Sequence, residues 1–404
     1  MNILYINHYA GSPEYGMAFR PYYLAKAWTG MGHKVTIVGA SFSHLRIKQP
    51  EVGEECIDGI RYVWLETPAY NGNGWSRVKN MLYFLHGLYF NSSHIVGNNS
   101  PDVVINSSTY PLDSCPGDRI AKKYKAKFVF EAHDLWPLSP MELGNMSKYH
   151  PFIMAMQFGE NYAYKHADKV ISILPCTKAH MCNHGLLPEK FVHIPNGINI
   201  DEWKRCDNKL SAEYDAILEL KKNNVFLIGY AGGHAVSNAL LYLLMAAECL
   251  LGEKLAVVLV GSGTEKEKLI RYAECHKLKN VYFLAPLEKC KIPTLLSYMD
   301  GLYIGWHKHS LYRFGISPNK IYDYMMAGKP IIHSVEAAND LVAEANCGIS
   351  VAAEDHEAIA GAIRELMNMT DTERQRLGEN GRKFVIKHHD YKVLAKKFID
   401  AIED

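Results

Sequence analysis

The sequence predicts an α/β protein built of two doubly wound, Rossmann-like domains. Short apolar runs alternate with longer stretches of helical periodicity, a pattern typical of parallel sheets covered by helices. The alternation stops at a turn-rich segment, 194–203, and then starts again. The chain has 404 residues, a length that suits two or three domains.

The first series of strand candidates begins at the N-terminus. Residues 3–8 are apolar and β-rich, and a loop with Gly11, Pro13 and Gly16 separates them from an amphipathic stretch at 18–31. Runs such as VVI and KVTIV suit strands that are buried on both faces. The series predicts an N-terminal domain over 1–195. Its other strand candidates are 34–38, 60–65, 103–106, 127–131, 170–174 and 192–195.

A second series follows a polar stretch at 204–224 and predicts a C-terminal domain over 196–385. The tail at 391–403 has one apolar stripe, which indicates a helix. We expect the segment 386–404 to pack back on the N-terminal domain. The strand candidates of the second series are 225–230, 255–260, 281–284, 302–304, 330–334 and 349–351, and its helix candidates are 238–251, 265–276, 319–326 and 356–369.

Composition narrows the class of protein. There are 44 Lys and Arg against 43 Asp and Glu, so no global positive field favours nucleic acid. Nine irregularly spaced cysteines without a CxxC pair indicate reduced thiols. The N-terminal residues do not resemble a signal peptide, and no apolar run reaches the length of a membrane span. We therefore expect a cytoplasmic protein.

An aromatic and basic stretch leaves room for contact with a membrane. Residues 75–90 read WSRVKNMLYFLHGLYF, and a basic cluster follows at 119–127. Together they could touch an anionic membrane surface, which predicts a peripheral location on the inner face of the plasma membrane. A buried helix beside a solvated run of charge is an equally good interpretation.

Three glycine-containing loops each stand between a strand and a helix. They lie at 10–20, 229–234 and 261–269. Glycines let backbone N–H groups approach an anion, and a helix N-terminus favours negative charge. None reads GxGxxG, so a nicotinamide dinucleotide is not indicated. The three loops together predict a phosphate-bearing ligand held across a cleft.

The segment GISPNKIYDYMMAGKP at 315–330 is the most informative. Ser317 and Pro318 predict an N-cap and a first helical residue, so the amides that follow point at an anion. Lys320 adds a cation, and Asp323 stands one turn further on, where a carboxylate could bind ribose hydroxyls. A well-capped helix without a ligand is the alternative interpretation.

Two histidine-bearing segments are candidates for chemistry. His133 and Asp134 follow the strand at 127–131 and therefore fall at its carboxyl end, where such sheets bind ligands. Cys176, His180 and His184 share one face of a predicted helix and could hold zinc. No carboxylate completes that set in the sequence, so ordinary packing is the preferred interpretation and no metal is predicted.

With these residues in view, the chain resembles a family 4 glycosyltransferase of the GT-B fold. The resemblance covers nearly the whole chain and is closest to the bacterial branch of O-antigen and capsule assembly, which includes fucosaminyltransferase-like members. The motifs that carry it are NHYAGSPEYGM, EAHDLWP, IPNGINIDEW, VLVGSGTEKEKL and SPNKIYDYMMAGKP.

The resemblance implies a retaining transferase that needs neither a metal nor a cofactor. The donor would be a nucleotide sugar, with UDP favoured and an N-acetylated aminosugar expected. The acceptor would be a glycan or a lipid-diphosphate-linked sugar in surface polysaccharide synthesis. The implied site residues are His133 beside the transferred sugar; Gly16, Gly233, Gly261, Leu284, Ser317, Asn319, Lys320 and Asp323 on the donor side; and Arg20 and Asp134 on the acceptor or phosphate side.

The chain departs from the wider family at two places. The general pattern has two glutamates that flank seven residues, and here those positions hold Gly315 and Asp323. An Arg/Lys pair is also missing after the first strand of the second domain, where His234, Lys320 or Arg20 could compensate for the charge. A nucleotide-sugar 2-epimerase and a non-catalytic partner subunit that binds nucleotide sugar therefore remain alternatives.

Overall fold

The computed structural model describes residues 1–16, 19–44, 46–72, 74–203 and 214–404. The chain divides into two compact units, one of residues 1–196 together with 391–404 and one of residues 197–390. The predicted start of the first helix at Ala18 and the first part of the polar stretch, residues 204–213, lie outside the described residues. Each unit is an α/β layer structure, which confirms the predicted fold class.

The N-terminal unit contains an eight-stranded sheet in the order β3-β4-β2-β1-β5-β6-β7-β8. All neighbours pair in parallel except β3 and β4. The central strands are buried along their length, as the continuous apolar runs predict. The strands are β1 (Asn2–Ile6), β2 (Lys34–Ala40), β3 (Gly53–Ile57), β4 (Ile60–Leu65), β5 (Val103–Asn106), β6 (Lys127–Ala132), β7 (Lys169–Ser172) and β8 (Phe191–His193).

Helices connect these strands and cover the sheet. The core on one face joins buried side chains of the sheet to those of the first helix, with Trp28 fully buried among them. The helices of this part are α1 (Phe19–Gly30), α2 (Trp75–Phe90), α3 (Ser92–Val96), α4 (Ser114–Tyr124), α5 (Leu138–Gly144), α6 (Pro151–His166) and α7 (Lys178–Asn183).

The C-terminal unit contains a six-stranded sheet in the order β11-β10-β9-β12-β13-β14, and every neighbouring pair is parallel. Two apolar clusters, one on each face, form its core. The order reverses between β9 and β12, the kind of switch point at which doubly wound sheets bind ligands. The strands are β9 (Phe226–Ala231), β10 (Leu255–Val260), β11 (Val281–Leu284), β12 (Gly301–Gly305), β13 (Ile331–Ser334) and β14 (Gly348–Val351).

Helix starts in this unit follow local capping chemistry. Thr370 and Glu373 form a reciprocal capping box, with the Glu373 N–H donating to Thr370 Oγ1 and the Thr370 N–H donating to Glu373. The helices are α8 (Ile200–Trp203), α9 (Asp215–Lys222), α10 (Leu240–Cys249), α11 (Lys266–Cys275), α12 (Ile292–Ser297), α13 (Asn319–Ala327), α14 (Leu341–Ala345), α15 (His356–Asn368) and α16 (Asp371–His389).

The C-terminal helix α17 (Tyr391–Glu403) belongs to the N-terminal unit, as the apolar stripe predicts. Trp28 of α1 donates its indole N–H to the Ala395 carbonyl at 3.0 Å and packs edge-on against Phe398. Tyr23 stacks on Tyr391 with ring centroids 5.0 Å apart. No helix of the described residues is long and apolar enough to span a bilayer.

Candidate active site

In the N-terminal unit, a buried polar network stands at the carboxyl ends of β1, β5 and β6. His133 follows β6, and its Nε2 lies 2.7 Å from Ser107 Oγ and 3.3 Å from Glu131 Oε2. Ser107 donates to the same Glu131 oxygen at 2.5 Å. Because that bond uses the hydroxyl proton, Nε2–H of His133 donates to Ser107.

Glu131 is the fixed charge behind this histidine. It is fully buried and receives hydrogen bonds from Tyr5 and from two nitrogens of Arg20, at 3.0 and 2.9 Å. Burial alone would raise the pKa of Glu131, but Arg20, His133 and Ser107 outweigh it and hold that pKa well below its usual range. An ionised carboxylate therefore orients Ser107 and, through it, His133.

Arg20 is bonded to groups inside the N-terminal unit. Besides Glu131, its guanidinium donates to the carbonyls of Ile194 and Pro195, at 2.9 and 2.5 Å. The side chain is only 5% exposed, so its N–H groups donate to these internal acceptors. Arg20 therefore supports Glu131, and its place on the acceptor or phosphate side stays a prediction. Asp134, the other residue predicted there, is exposed directly after His133.

Gly16 closes a tight turn in the first glycine loop. Its N–H donates to the Ser12 carbonyl at 2.9 Å, and its φ is +90°. A Cβ at this position would lie 3.2 Å from the Ile47 side chain. Glycine is thus required here for conformation and space. The N–H is already bonded, so any contact of Gly16 with a diphosphate would have to come from another atom.

In the C-terminal unit, two glycine loops pack backbone against backbone after β9 and β10. The His234 N–H donates to the Ser262 carbonyl at 2.8 Å. A Cβ on Gly261 would lie 2.0 Å from the Gly232 carbonyl oxygen, and one on Gly263 would lie 2.4 Å from that of His234. These contacts explain why both loops carry glycine. Gly233, by contrast, has open space beside it, with the nearest atom 4.0 Å from such a Cβ.

Lys320 of α13 reaches this pair of loops. Its Nζ donates to the Tyr230 hydroxyl at 2.7 Å and to Asn238 Oδ1 at 2.8 Å, and its chain passes beside Gly232. Tyr230 in turn donates to the Gly233 carbonyl at 2.7 Å. Burial lowers the pKa of Lys320 to about 7. The structure thus brings Lys320 together with the 229–234 loop.

Little in the sequence indicates the part that two residues of the 229–234 loop, Tyr230 and His234, play in this packing. His234 is fully buried, and within the described part of the chain neither of its ring nitrogens has a hydrogen-bond partner. Burial, with Lys266 and Lys320 nearby, lowers the pKa of His234 to about 4. The neutral ring of His234 cannot replace the missing cation, so of the three residues considered for that role only Lys320 can bring a positive charge to this loop.

The cap of α13 differs from the prediction. The helix begins at Asn319, as the candidate 319–326 predicts, but Pro318 and not Ser317 stands at the N-cap position. Ser317 does not cap the helix; its hydroxyl instead lies 2.9 Å from that of Tyr322. Proline offers no side-chain acceptor, so this helix start has no side-chain cap. Amides left open in this way suit an anion.

Asp323 and Leu284 complete the predicted donor side. Asp323 lies one turn after Asn319, and burial raises its pKa to about 6, with Lys289 opposing and Glu202 adding to the shift. The Leu284 carbonyl at the end of β11 accepts from Lys266 Nζ at 2.8 Å and from the Gly261 N–H at 3.4 Å. This carbonyl is thus used to tie the second glycine loop to β11.

Gly315 stands where the wider family pattern has its first glutamate. Its φ is +90°, a conformation that side chains rarely adopt, and its N–H donates to the Tyr312 carbonyl at 2.9 Å. The local backbone is therefore built for glycine, and a glutamate at this position would be strained.

The 176–184 segment does not form the predicted helical face. The helix is confined to Lys178–Asn183, so Cys176 precedes it and is exposed. His180 and His184 do meet, with ring centroids 4.3 Å apart, and the third side chain beside them is Glu160 of α6.

Sequence comparison assigns both halves of the chain to glycosyltransferase families. Residues 16–202 match Glycosyltransferase Family 4, and residues 220–384 match Glycosyl transferases group 1. An uncharacterised glycosyltransferase of Methanocaldococcus jannaschii is 27% identical over 149 residues, which are 37% of this chain and 36% of that protein. WcaI of Escherichia coli K12, provisionally described as a glycosyl transferase of colanic acid biosynthesis, is 25% identical over 82% of this chain and 80% of its own length.

Solved structures show the same architecture. Anabaena HepE in complex with UDP-glucose superposes with a TM-score of 0.67 at 15% identity, covering 100% of this chain and 99% of that one. Sucrose-phosphate synthase from Thermosynechococcus elongatus gives 0.73 at 18% identity, covering 99% and 97%. WaaG, a glycosyltransferase involved in lipopolysaccharide biosynthesis, gives 0.66 at 15% identity, covering 99% of each chain. The chain is a glycosyltransferase of the GT-B fold, whose N-terminal part matches Glycosyltransferase Family 4 and whose C-terminal part matches Glycosyl transferases group 1.

Proposed function

We propose that the protein transfers a sugar, expected to be an N-acetylated aminosugar, from a UDP-linked donor to a hydroxyl of a glycan or lipid-linked sugar acceptor. The transfer would retain the anomeric configuration and would belong to surface polysaccharide synthesis. Three relatives support this direction by what they are: HepE was solved with UDP-glucose, WaaG acts in lipopolysaccharide biosynthesis, and WcaI is assigned to colanic acid.

The observation that carries the proposal is the setting of Lys320. Its ammonium is held by two neutral oxygens, of Tyr230 and Asn238, at the edge of the glycine loops and one residue into α13. Burial destabilises the charged form and lowers the pKa to about 7. A diphosphate at this place would supply the missing counter-charge and would also meet the uncapped amides of α13.

The same groups suit the chemistry of transfer. Negative charge grows on the diphosphate as the sugar leaves, and Lys320 with the helix amides opposes that charge. Asp323 would accept hydrogen bonds from the ribose hydroxyls. His133, held by Ser107 and Glu131, would hydrogen-bond to the transferred sugar through its free face. The acceptor hydroxyl would attack from the side of the leaving group and give its proton to the departing phosphate.

A lipid-linked acceptor would bring the protein to a membrane, and α2 offers a surface for that contact. Its side chains Trp75 and Phe90 are 86% and 72% exposed, and Leu82 is 56% exposed. Arg119 of α4 lies over the Tyr89 ring at 4.7 Å, and Lys123 stands on the same helix. We propose that this apolar and basic surface rests on anionic lipid.

Binding and product analysis test the proposal directly. The binding of UDP, GDP, CMP and ADP is compared by thermal shift. Sugars linked to the nucleotide that binds are then assayed as donors, with lipid-diphosphate-linked sugars as acceptors. We expect UDP to stabilise the protein without added magnesium, and the NMR coupling of the product's anomeric proton to match that of the donor.

Variants and side products separate the alternatives. Lys320→Met should weaken nucleotide binding roughly 10- to 100-fold, the effect of losing a hydrogen bond to a charged group. The control Lys308→Met, an exposed lysine paired with Glu336, should leave binding unchanged. A 2-epimer released without acceptor would identify an epimerase. Nucleotide binding without turnover on any acceptor would identify a non-catalytic partner subunit.

A further inference from the structure

A compact group of metal-ligating side chains lies in the N-terminal unit, apart from the residues assigned to transfer. Glu160 of α6, His180 of α7 and His184 at the end of α7 place one ligand atom each within 4.8 Å of one another. His180 Nε2 is 3.5 Å from Glu160 Oε1. Two imidazoles and a carboxylate are the donor set that Zn²⁺ and its neighbours in the first transition row take.

We infer that Glu160, His180 and His184 form a binding site for a divalent transition-metal ion of the zinc class. Bonds of about 2.0–2.2 Å place the ligand atoms of a tetrahedral ion about 3.4 Å apart. The His180–Glu160 separation already matches this spacing, and the remaining gaps close by side-chain shifts of about 1 Å. Three protein ligands leave a fourth position for water.

The surrounding hydrogen bonds prepare these groups as ligands. His184 Nδ1–H donates to the His180 carbonyl at 2.9 Å, which leaves Nε2 with its lone pair for the ion. Glu160 is 2% exposed, and its two oxygens accept from the Tyr164 hydroxyl at 3.0 Å and from Gln157 at 2.7 Å. Outer partners of this kind orient metal ligands and raise their affinity.

The site would act as a clip across one strand of the sheet. Helix α6 immediately precedes β7 and α7 follows it, so the ion would join the two helices on either side of that strand. The strand β7 pairs with β6, which leads into His133. A bound ion would thus stiffen the segments that enter and leave β7, the neighbour of the strand β6 that leads into His133. The ion would take no part in transfer.

Cobalt provides the test. The purified chain is dialysed against chelator and titrated with Co²⁺, followed by visible absorption and by the thermal midpoint. We expect one equivalent with the absorption of a four-coordinate ion, no sulfur-to-cobalt charge-transfer band, displacement by Zn²⁺ and a higher thermal midpoint. Loss of an outer-shell partner alone weakens metal binding roughly 10- to 100-fold. Because His184→Ala removes a direct ligand, it should weaken Co²⁺ binding by more than that.

Two further variants keep the result interpretable. Glu160→Gln preserves the shape of the buried side chain and should also weaken binding if the fold is intact. His166→Ala alters an exposed histidine on the same helix as Glu160 and should bind as the wild type does. Equal binding by wild type and His184→Ala, or a charge-transfer band that assigns the ion to the exposed cysteines, would overturn the proposal. UDP binding serves as an independent check on the donor side and should be unaffected.

Discussion

At the scale of single residues, the proposed donor side contains two titratable groups whose pKa values are shifted in opposite directions. Burial raises the pKa of Asp323 to about 6 and lowers that of Lys320 to about 7. If the carboxylate binds ribose and the ammonium binds diphosphate, both must be charged for tight binding. The two charged forms coexist best between pH 6 and 7.

We therefore predict a bell-shaped pH dependence of UDP-sugar affinity. Below about pH 6 Asp323 takes up a proton, and above about pH 7 Lys320 loses one, so affinity falls on both sides. A UDP-sugar is the right ligand because its diphosphate has no terminal phosphate that ionises near pH 6. Calorimetric titration from pH 5 to 9 measures the profile. Lys320→Met should remove the alkaline limb and Asp323→Asn the acidic one, whereas a flat wild-type profile would contradict both assignments.

A second residue-scale prediction concerns His133. Replacing it with alanine removes the hydrogen bond proposed to the transferred sugar and should lower kcat by roughly 2- to 12-fold, the equivalent of about 0.5–1.5 kcal/mol for a typical hydrogen bond. The KM for the nucleotide sugar should change little, because the residues proposed to bind the nucleotide all lie in the C-terminal unit. Ser107→Ala should produce a smaller loss by freeing the ring. An unchanged kcat in a folded His133→Ala variant would remove the residue from the mechanism.

The limits of sequence reasoning are visible at the same scale. The position of His133 at a strand end follows from the alternation of strands and helices. The burial of Arg20 does not, because its acceptors at 194–195 lie far along the chain. His234 looked like a possible cation in the sequence, and only its complete burial shows that it is neutral.

At the scale of elements, the two glycine loops of the C-terminal unit pack against each other and form one structural unit. Gly261 carries the tightest of these contacts, 2.0 Å from a hypothetical Cβ to the Gly232 carbonyl oxygen. That oxygen belongs to the backbone and cannot rotate away. Substitution must therefore push the loops apart at the place where Lys320 passes.

We predict that Gly261→Ala destabilises the C-terminal unit by about 1–3 kcal/mol, through overpacking and a strained φ of +146°. Nucleotide affinity should fall with it. Gly361→Ala is the matched control, because nothing lies within 4 Å of its Cβ position and it stands inside α15. That change should stabilise by about 0.5–1 kcal/mol. Urea unfolding measures both, and equal effects would show that the close packing of the loops is unimportant.

One element, β3, was missed by the apolar pattern for a physical reason. It is an antiparallel edge strand with alternating exposure and two glutamates, whereas continuous apolar runs are typical of strands buried on both faces. A signal was present nevertheless. Asp58 and Gly59, between β3 and β4, have φ values of 51° and 81°, and an Asp-Gly pair between strand residues indicates a hairpin.

The start of α13 shows the opposite case, a local signal that was overinterpreted. Serine before proline favours an N-cap, but the Ser317 hydroxyl is drawn to Tyr322 instead. Capping preference is worth about 1 kcal/mol, and one tertiary hydrogen bond can offset it. The existence of the helix was predictable from sequence, whereas its cap depended on a neighbour.

At the scale of the whole molecule, the fold class followed from the repeated alternation, and the place of α17 followed from its apolar stripe. The final helix joins a core whose other members lie between Ile3 and Ile194. Trp28 and Phe398 meet with centroids 5.2 Å apart, and both are fully buried. The N-terminal unit is thus held together by residues 370 positions apart in the chain, while the C-terminal unit has cores of its own.

This division predicts separate responses to mutation and to ligand. Phe398→Ala leaves a cavity in the N-terminal core and should destabilise that unit by about 3–5 kcal/mol. Lys396→Ala, an exposed change on the same helix, should cost little. Saturating UDP should raise the free energy of unfolding of the C-terminal unit only, by about 2.7 kcal/mol at 100 times its dissociation constant. Hydrogen exchange resolved by peptide distinguishes the two units. A cavity in one core removes contacts from that core alone. If Phe398→Ala loosened residues 197–390 as strongly as residues 1–196, the two cores would therefore not be independent.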